Sequence, residues 1–245
     1  MKVIDAVWEK ENLGVETKEI VIEHCDCKKD VLKTLAEIKG EYLVVKVPSD
    51  YEPISYELFE NGFVFMETMN QISNDLVLKQ LSGKKLDIVQ NTQFVKMNEA
   101  DFVYMCDKIV NDLMFKTDRI ARDPHFSLKQ ANQRYVNWLI QERARGAEFF
   151  KYIYHGENVG FDCFRKIEDE VFEDFFSGIY KEYNGQGLSV NVPYKLHDYV
   201  VAAGGKRIIG FVSSTNVKAL SKNINNGYTI VGSNYIFVKH NSTKI

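Results

Sequence analysis

The chain has 245 residues, 45% of them apolar and 27% charged, with a net charge of −3 at neutral pH. This is globular composition, which excludes a disordered chain, and the balance is not that of a protein with a dominant basic field for nucleic acid. No apolar run has the length of a membrane span and Met1–Val7 lacks a secretory apolar region, so the expectation is a cytoplasmic protein with no membrane partner. Four cysteines fit a reducing compartment, and the Cys25–Cys27 pair has no second Cys/His pair at ligand spacing, so no metal is expected.

Residues 1–92 read as a small α/β unit. A short strand at 20–22 precedes a helix over 28–39, whose Val31, Leu32, Leu35 and Ile38 share one face. A β-rich run over 42–47 ends at Pro48. A short helix over 54–60 stops at Asn61-Gly62, and a strand over 63–69 follows. Residues 79–92 read as a connector with a turn at Ser82–Lys85.

Residues 93–245 form the second unit. A strand near Phe94-Val95 leads to Asn98, which caps a helix over 99–113. Asp123-Pro124 blocks helix, and Ser127 with Gln130 has the form of a capping box opening a helix that ends at Gly146. Strands follow at 148–154, 159–167 and 170–179. Gly185 and Gly187 then lead into a helix reaching Ala203, in which Pro193 means that either the helix is kinked or its first turn is separate. A strand at 208–212, a short helix opened by Asn216 and a hairpin-like β region over 227–238 complete the chain. Leu58–Val64 and Ile224–Ile230 echo each other as helix, glycine stop, aromatic and strand.

The segment carrying chemistry is Tyr183-Asn184-Gly185-Gln186-Gly187-Leu188-Ser189. A strand–GxG–helix joint lets backbone amides approach a pyrophosphate, because glycine adopts dihedrals other residues avoid and a helix start leaves amides unpaired. The third glycine of a dinucleotide fingerprint is missing. Two strand carboxylates, Glu173 and Asp174, precede the loop on opposite faces. Of the two, Glu173 is the candidate base for an acceptor ammonium.

The loop resembles the acetyl-CoA loop of the GNAT superfamily, with Asn184 and Ser189 departing from the usual residues. Asn216, Ala219-Leu220 and Gly227-Tyr228 are similar to the superfamily's closing motif. Trp8–Val15, Arg119–Ser127 and Arg134–Trp138 also look like the dTDP-fucosamine acetyltransferase group. The resemblance implies an α/β (α+β) GNAT fold with a mixed, mostly antiparallel sheet over 93–245, preceded by a smaller GNAT-like α/β domain over 1–92. It implies an acetyl-CoA-dependent N-acetyltransferase in which the acceptor amine attacks the thioester directly. Ile179, Tyr180, Asn184, Gly185, Gln186, Gly187, Leu188, Ser189 and Asn216 would hold the cofactor. Backbone amides near Ile179 and Tyr180 would face the carbonyl oxygen. Arg119, Asp123, His125 and Tyr135 would meet the acceptor, an amine on a small molecule such as a nucleotide-linked amino sugar. Asn223 stands where many members carry an acidic tyrosine and is expected to hydrogen-bond the sulfur. The alternatives are a GNAT enzyme for a peptide, polyamine or antibiotic amine, and a non-catalytic CoA-binding module. A homodimer is left open.

Overall fold

The computed structural model describes residues 1–241. Along the first unit run β1 (Lys2–Asp5), α1 (Val7–Leu13), β2 (Thr17–Val21), α2 (Lys28–Glu37), β3 (Tyr42–Pro48), α3 (Ser55–Glu60), β4 (Val64–Asn74) and α4 (Gly83–Gln90). The second unit contributes β5 (Thr92–Lys96), α5 (Glu99–Asn111), α6 (Arg119–Arg122), α7 (Leu128–Ala144), β6 (Glu148–Tyr154), β7 (Glu157–Glu168) and β8 (Val171–Ile179). It ends with α8 (Asn191–Ala202), β9 (Arg207–Ser213), α9 (Val217–Asn225) and β10 (Thr229–His240). The expected caps are present. Asn98 and Asp101 exchange side-chain and backbone hydrogen bonds at the start of α5, as Ser127 and Gln130 do at α7.

All ten strands belong to one sheet, in the order β1-β2-β3-β10-β4-β9-β8-β7-β6-β5. Only β2–β3 and β8–β9 pair in parallel; the other seven pairings are antiparallel. Alternation along each strand sends side chains to two helical layers. Phe149, Phe161, Cys163 and Phe176 pack under α5 and α7. Phe150, Phe164, Phe172 and Ile208 pack against Leu196 and Val200 of α8 on the other face.

Two sequence expectations change. The 227–238 region is no hairpin. It is one long strand whose register shifts near Val231 as it passes between β3 and β4. The connector after β4 contains helix α4, whose Ile88 and Val89 are buried beside Leu188. Pro193 does not kink a helix. A separate one-turn 3-10 segment covers Leu188–Val190, and Pro193 lies in the first turn of α8, where no amide is required.

The β10–β4 pairing interleaves the two units. β4 comes from residues 1–92, yet it is bonded on both edges by strands of 93–245; β10 lies in turn between β3 and β4. We propose that the boundary at residue 92 divides the sequence but not the folding unit. Trp8 reports on α1 and Trp138 on α7. The single-tryptophan variants Trp8→Phe and Trp138→Phe should give the same urea midpoint by fluorescence, coincident with far-UV circular dichroism. Two separated midpoints would show the units unfolding independently.

Candidate functional site

Two parallel strands part company at the centre of the second unit. β8 and β9 pair only from Val171/Arg207 to Asp174/Gly210. Past that point β8 runs on beside β7 and β9 runs on beside β4, so the pair splays. A bulge falls at the same place. Phe164 faces Asp174 and Cys163 faces Phe176, so Phe175 is the extra residue, outside the ladder.

A cleft of about 770 Å³ opens from the splay. Ser177, Gly178 and Ile179 of β8 form one wall, and Asn216, Lys218, Ala219 and Lys222, from the cap of α9 to past its middle, form the other. The glycine loop closes one end and the Asp112–Thr117 segment covers the top. Gly185 and Gly187 have φ of +82° and +86°, and a Cβ on Gly185 would meet nothing within 4 Å. These left-handed dihedrals are why the loop needs glycine, and they turn the chain sharply into the Leu188–Val190 turn. Lys116, Lys181 and Lys218 are exposed on the rim.

Of the residues expected to hold the cofactor, Ile179, Asn184, Gly185, Gly187, Leu188, Ser189 and Asn216 line this cleft. Gln186 is exposed and off its wall. Tyr180 is fully buried in the core, and its amide donates to the Val159 carbonyl at 3.0 Å, so that amide is not free for a thioester oxygen. Asn216 caps α9, its Oδ1 accepting from the Ala219 amide at 3.3 Å, which leaves its Nδ2 group to donate into the cleft.

The two expected catalytic side chains lie elsewhere. Asn223 is buried and off the cleft wall; its backbone carbonyl accepts from Asn226 and Tyr228. One residue earlier, Lys222 does line the cleft. Glu173 accepts from Arg165 at 2.7 Å, and Arg165 also reaches Glu142 on α7, so this carboxylate is consumed by an ion network. Asp174, on the other face of β8, is the carboxylate at the splay. It sits by fully buried Asp162 of β7, which accepts from Tyr152 at 2.7 Å. Burial, and then the neighbouring Asp174, hold the Asp162 carboxyl well above its ordinary value. Burial likewise raises Asp174, with Lys222 pulling back. Sequence spacing could not reveal this pair, because its members are on different strands.

The four residues expected to meet the acceptor fall into two groups. Arg119 and Tyr135 line a second cavity of about 500 Å³, whose other walls include Trp8, Trp138, Lys46, Glu67, Gln141 and Arg145. Asp123 and His125 are not on it. Buried Asp123 bridges His125 at 2.9 Å and His240 at 2.8 Å, and the two imidazoles stack with centroids 3.8 Å apart. Their donor atoms lie within 4.8 Å of one another, a metal-compatible trio that the sequence reading did not anticipate. In the structure the trio ties the end of β10 to the segment between α6 and α7.

Arg119 is also committed. It reaches Glu9 at 3.1 Å and Glu19 at 3.3 Å, while Arg134 grips Glu9 with two nitrogens at 2.6 and 2.7 Å and Lys46 holds Glu19 at 2.7 Å. Tyr135 donates to Asp118 at 2.9 Å. Burial works to raise the Glu19 carboxyl, but Arg119, Lys46 and Arg134 outweigh it and hold it below its ordinary value. A depressed carboxylate contributes stability that is complete above its unfolded pKa and is lost as pH falls through the folded one. Arg119→Met should therefore cost about 3 kcal/mol, the low end for one member of a buried pair, because Arg134 and Lys46 still hold the glutamates. The variant should also lose less of its remaining stability than the parent between roughly pH 5 and 3. Urea midpoints measured across that range check both, and a variant as stable as the parent would mean the network is dispensable.

No protein-family model matches the sequence, and no curated protein does. Solved structures do. A conserved protein of unknown function from Staphylococcus epidermidis superposes with a TM-score of 0.58 at 13% identity, over 93% of this chain and 85% of that one. A GCN5-related N-acetyltransferase from Sphaerobacter thermophilus gives 0.56 at 8% identity, over 81% and 59%. A tandem GNAT protein from the clavulanic acid biosynthesis pathway gives 0.54 at 9%, over 83% and 65%. The match spans less than two thirds of the latter two proteins. At these identities the likeness is one of backbone: the chain has the fold of the GCN5-related N-acetyltransferases.

Proposed function

We propose that the protein is an acyl-CoA-dependent N-acyltransferase, with acetyl-CoA as its co-substrate. The observation that carries this reading is the splayed β8–β9 pair opening onto a glycine loop with two left-handed residues. The fit to a CoA group rests on residues of the cleft. The loop backbone and the start of α8 form a cradle for a diphosphate. Exposed Lys116, Lys181 and Lys218 supply charge for phosphates at the rim, and Ile179 and Leu188 supply apolar wall. The bound group would bring an activated acyl carbonyl. The chain contributes position and hydrogen-bond donors, which are effective when fixed before the reaction begins.

The acceptor is proposed to be a primary amine on a small molecule, reaching the splay from the cavity of Trp8, Trp138 and Tyr135. That cavity and the cleft meet along Thr117-Asp118, one residue lining each. Between them Ser213 donates to Glu67 at 2.5 Å and Thr215 donates to the Thr117 carbonyl. Flat aromatic walls suit an acceptor with a ring, and Arg145, exposed although it also reaches Glu142, is the cation that an anionic acceptor would meet. The narrower reading, a nucleotide-linked amino sugar, draws its support from the Trp8–Val15 and Arg119–Ser127 resemblance. In this reading Arg119 acts by holding the glutamates that shape the cavity, and Arg145 is the more accessible cation.

Binding is the direct test. At 100 times its Kd, acetyl-CoA should add about 2.7 kcal/mol of apparent stability, equivalent to about 5–10 °C in Tm for a chain of this size. Gly187→Val should abolish that shift, because a β-branched residue is strained at φ +86°. Release of free CoA thiol with glucosamine, spermidine and a free peptide N-terminus as probes then separates the acceptor classes. Absence of any acetyl-CoA shift or binding heat at millimolar concentration would overturn the reading, and binding without turnover on any amine would leave a CoA-binding module.

A further inference from the structure

The carboxylate pair at the splay, half-buried Asp174 and fully buried Asp162, holds more chemistry than positioning requires. Asp162 is fully buried, and its Oδ2 accepts from Tyr152, but its Oδ1 has no partner among the described residues. A lone carboxylate oxygen cut off from water is costly unless a proton or a cation is near it. Asp174 supplies the first possibility, since two adjacent carboxyls share a proton readily. Lys222 supplies the second. It is the cation acting on both carboxylates, it projects from α9, and it lines the cleft. The other titratable groups facing the pair are the phenols of Tyr152 and Tyr228 and the thiol of Cys163, all three raised by burial, and the Glu173 carboxylate, held by Arg165. Of these groups Lys222 is the one on the cleft wall, and the carboxyl pair acts on it.

We propose that Lys222 donates the proton taken up by the departing thiolate and that the Asp162–Asp174 pair reloads it. This rests on the acyl-transfer reading above. The acceptor ammonium first loses one proton to solvent. As the amine nitrogen bonds to the carbonyl carbon, the carbon–sulfur bond breaks and its electron pair stays on sulfur. Lys222 gives an Nζ proton to that sulfur and becomes a neutral amine. The second proton shed by nitrogen passes to the carboxylate pair, which carries one shared proton and one negative charge, and the pair returns a proton to Lys222. One proton has moved from nitrogen to sulfur and each side chain ends as it began. Burial lowers the Lys222 ammonium from its ordinary value, against the pull of Asp174 and Asp162, bringing it toward that of a thiol, the match that efficient proton transfer favours. Lys222 would be the catalytic residue; Asp162 and Asp174 position and recharge it. The role expected of Asn223 thus moves one residue along α9, to the side chain that faces the cleft.

The test needs no acceptor. Free coenzyme A is bound to the full chain, and its thiol is titrated by ultraviolet thiolate absorbance, with affinity measured by calorimetry at each pH. An ammonium beside the sulfur should hold the bound thiol at least about one pH unit below its ordinary value near 8.5. In Lys222→Met the value should return to that of free CoA, with affinity changed by less than about threefold. Lys222→Arg, which keeps the charge, should restore the depression. Asp174→Asn, which removes the carboxylate that acts most on the lysine and leaves the single negative charge on Asp162, should depress the thiol further. Equal thiol values in the parent and Lys222→Met, with CoA bound in both, would overturn the assignment of Lys222 and leave the acyl-transfer reading standing. An unchanged thiol in Asp174→Asn would remove the pair from the relay. Failure of CoA to bind at all would overturn both readings together.

Discussion

Everything in the site depends on one backbone constraint, the insertion of β4 between β9 and β10. A parallel strand pair left to itself twists together along its length. β9 cannot follow β8 past Gly210, because from Ile208 to Ser213 it is already hydrogen-bonded to β4 along its other edge. β8 is held in the same way by β7 through Ile179. The two strands obey different partners, and the gap between them becomes the cleft. The first unit therefore shapes the geometry of the second unit's site without itself lining the cleft.

The seam created by that insertion is unusually charged. Glu9, Glu19 and Glu67 are all buried where the units meet, against Arg119, Arg134 and Lys46. Well-packed apolar side chains would serve stability at least as well as such a network. What the ions add is definition: each carboxylate oxygen accepts only a donor at a set distance, so α1, β2, α6 and α7 are fixed in register across the second cavity. The Asp162–Asp174 pair differs in kind. It lies inside the sheet, one of its oxygens is unpartnered, and its neighbour Lys222 faces the cleft. A network with every group satisfied holds shape, and one with a group left over is available for a proton.

What the sequence made legible was local. The Asn98 cap, the Ser127 capping box, the stop at Gly146 and the glycine loop are written in residues a few positions apart, and each formed as expected. Helix α4 was hidden because Ser82-Gly83-Lys84-Lys85 reads as a turn, and only burial of Ile88 and Val89 beneath the loop makes a helix there worthwhile. The single strand β10 was not legible in the hairpin-like 227–238 region, because its pairing partners lie more than 150 residues away and no local signal encodes them. The site divided the same way. The loop was visible as a motif, whereas choosing between Glu173 and Asp174 required knowing that Arg165, across the ladder on β7, occupies Glu173. The choice between Asn223 and Lys222 required knowing which face of α9 turns toward the cleft.

The topology also says why, among the described residues, the splay opens in the second half and not in the first. β1-β2-α2-β3-α3-β4 and β7-β8-α8-β9-α9-β10 share an order and a pairing scheme: an antiparallel pair, a parallel step through a helix, then a helix–glycine–strand joint whose strand crosses to the other half. The joints echoed in the sequence are alike in the structure, with Gly62 at φ +80° and Gly227 at φ +104°. The halves part at the second strand. β8 continues for five residues past its last parallel pair, Asp174/Gly210, and meets a loop of two left-handed glycines. β2 stops at Val21, the residue of its last parallel pair, and α2 begins with Lys28-Lys29 after a stretch that has no glycine. With no strand running on there is no splay, and with no glycine turn there is no backbone cradle at the helix start. The first half keeps the scaffold and lends its last strand to the second, where the extra length of β8 and two glycines turn the same scaffold into a cleft.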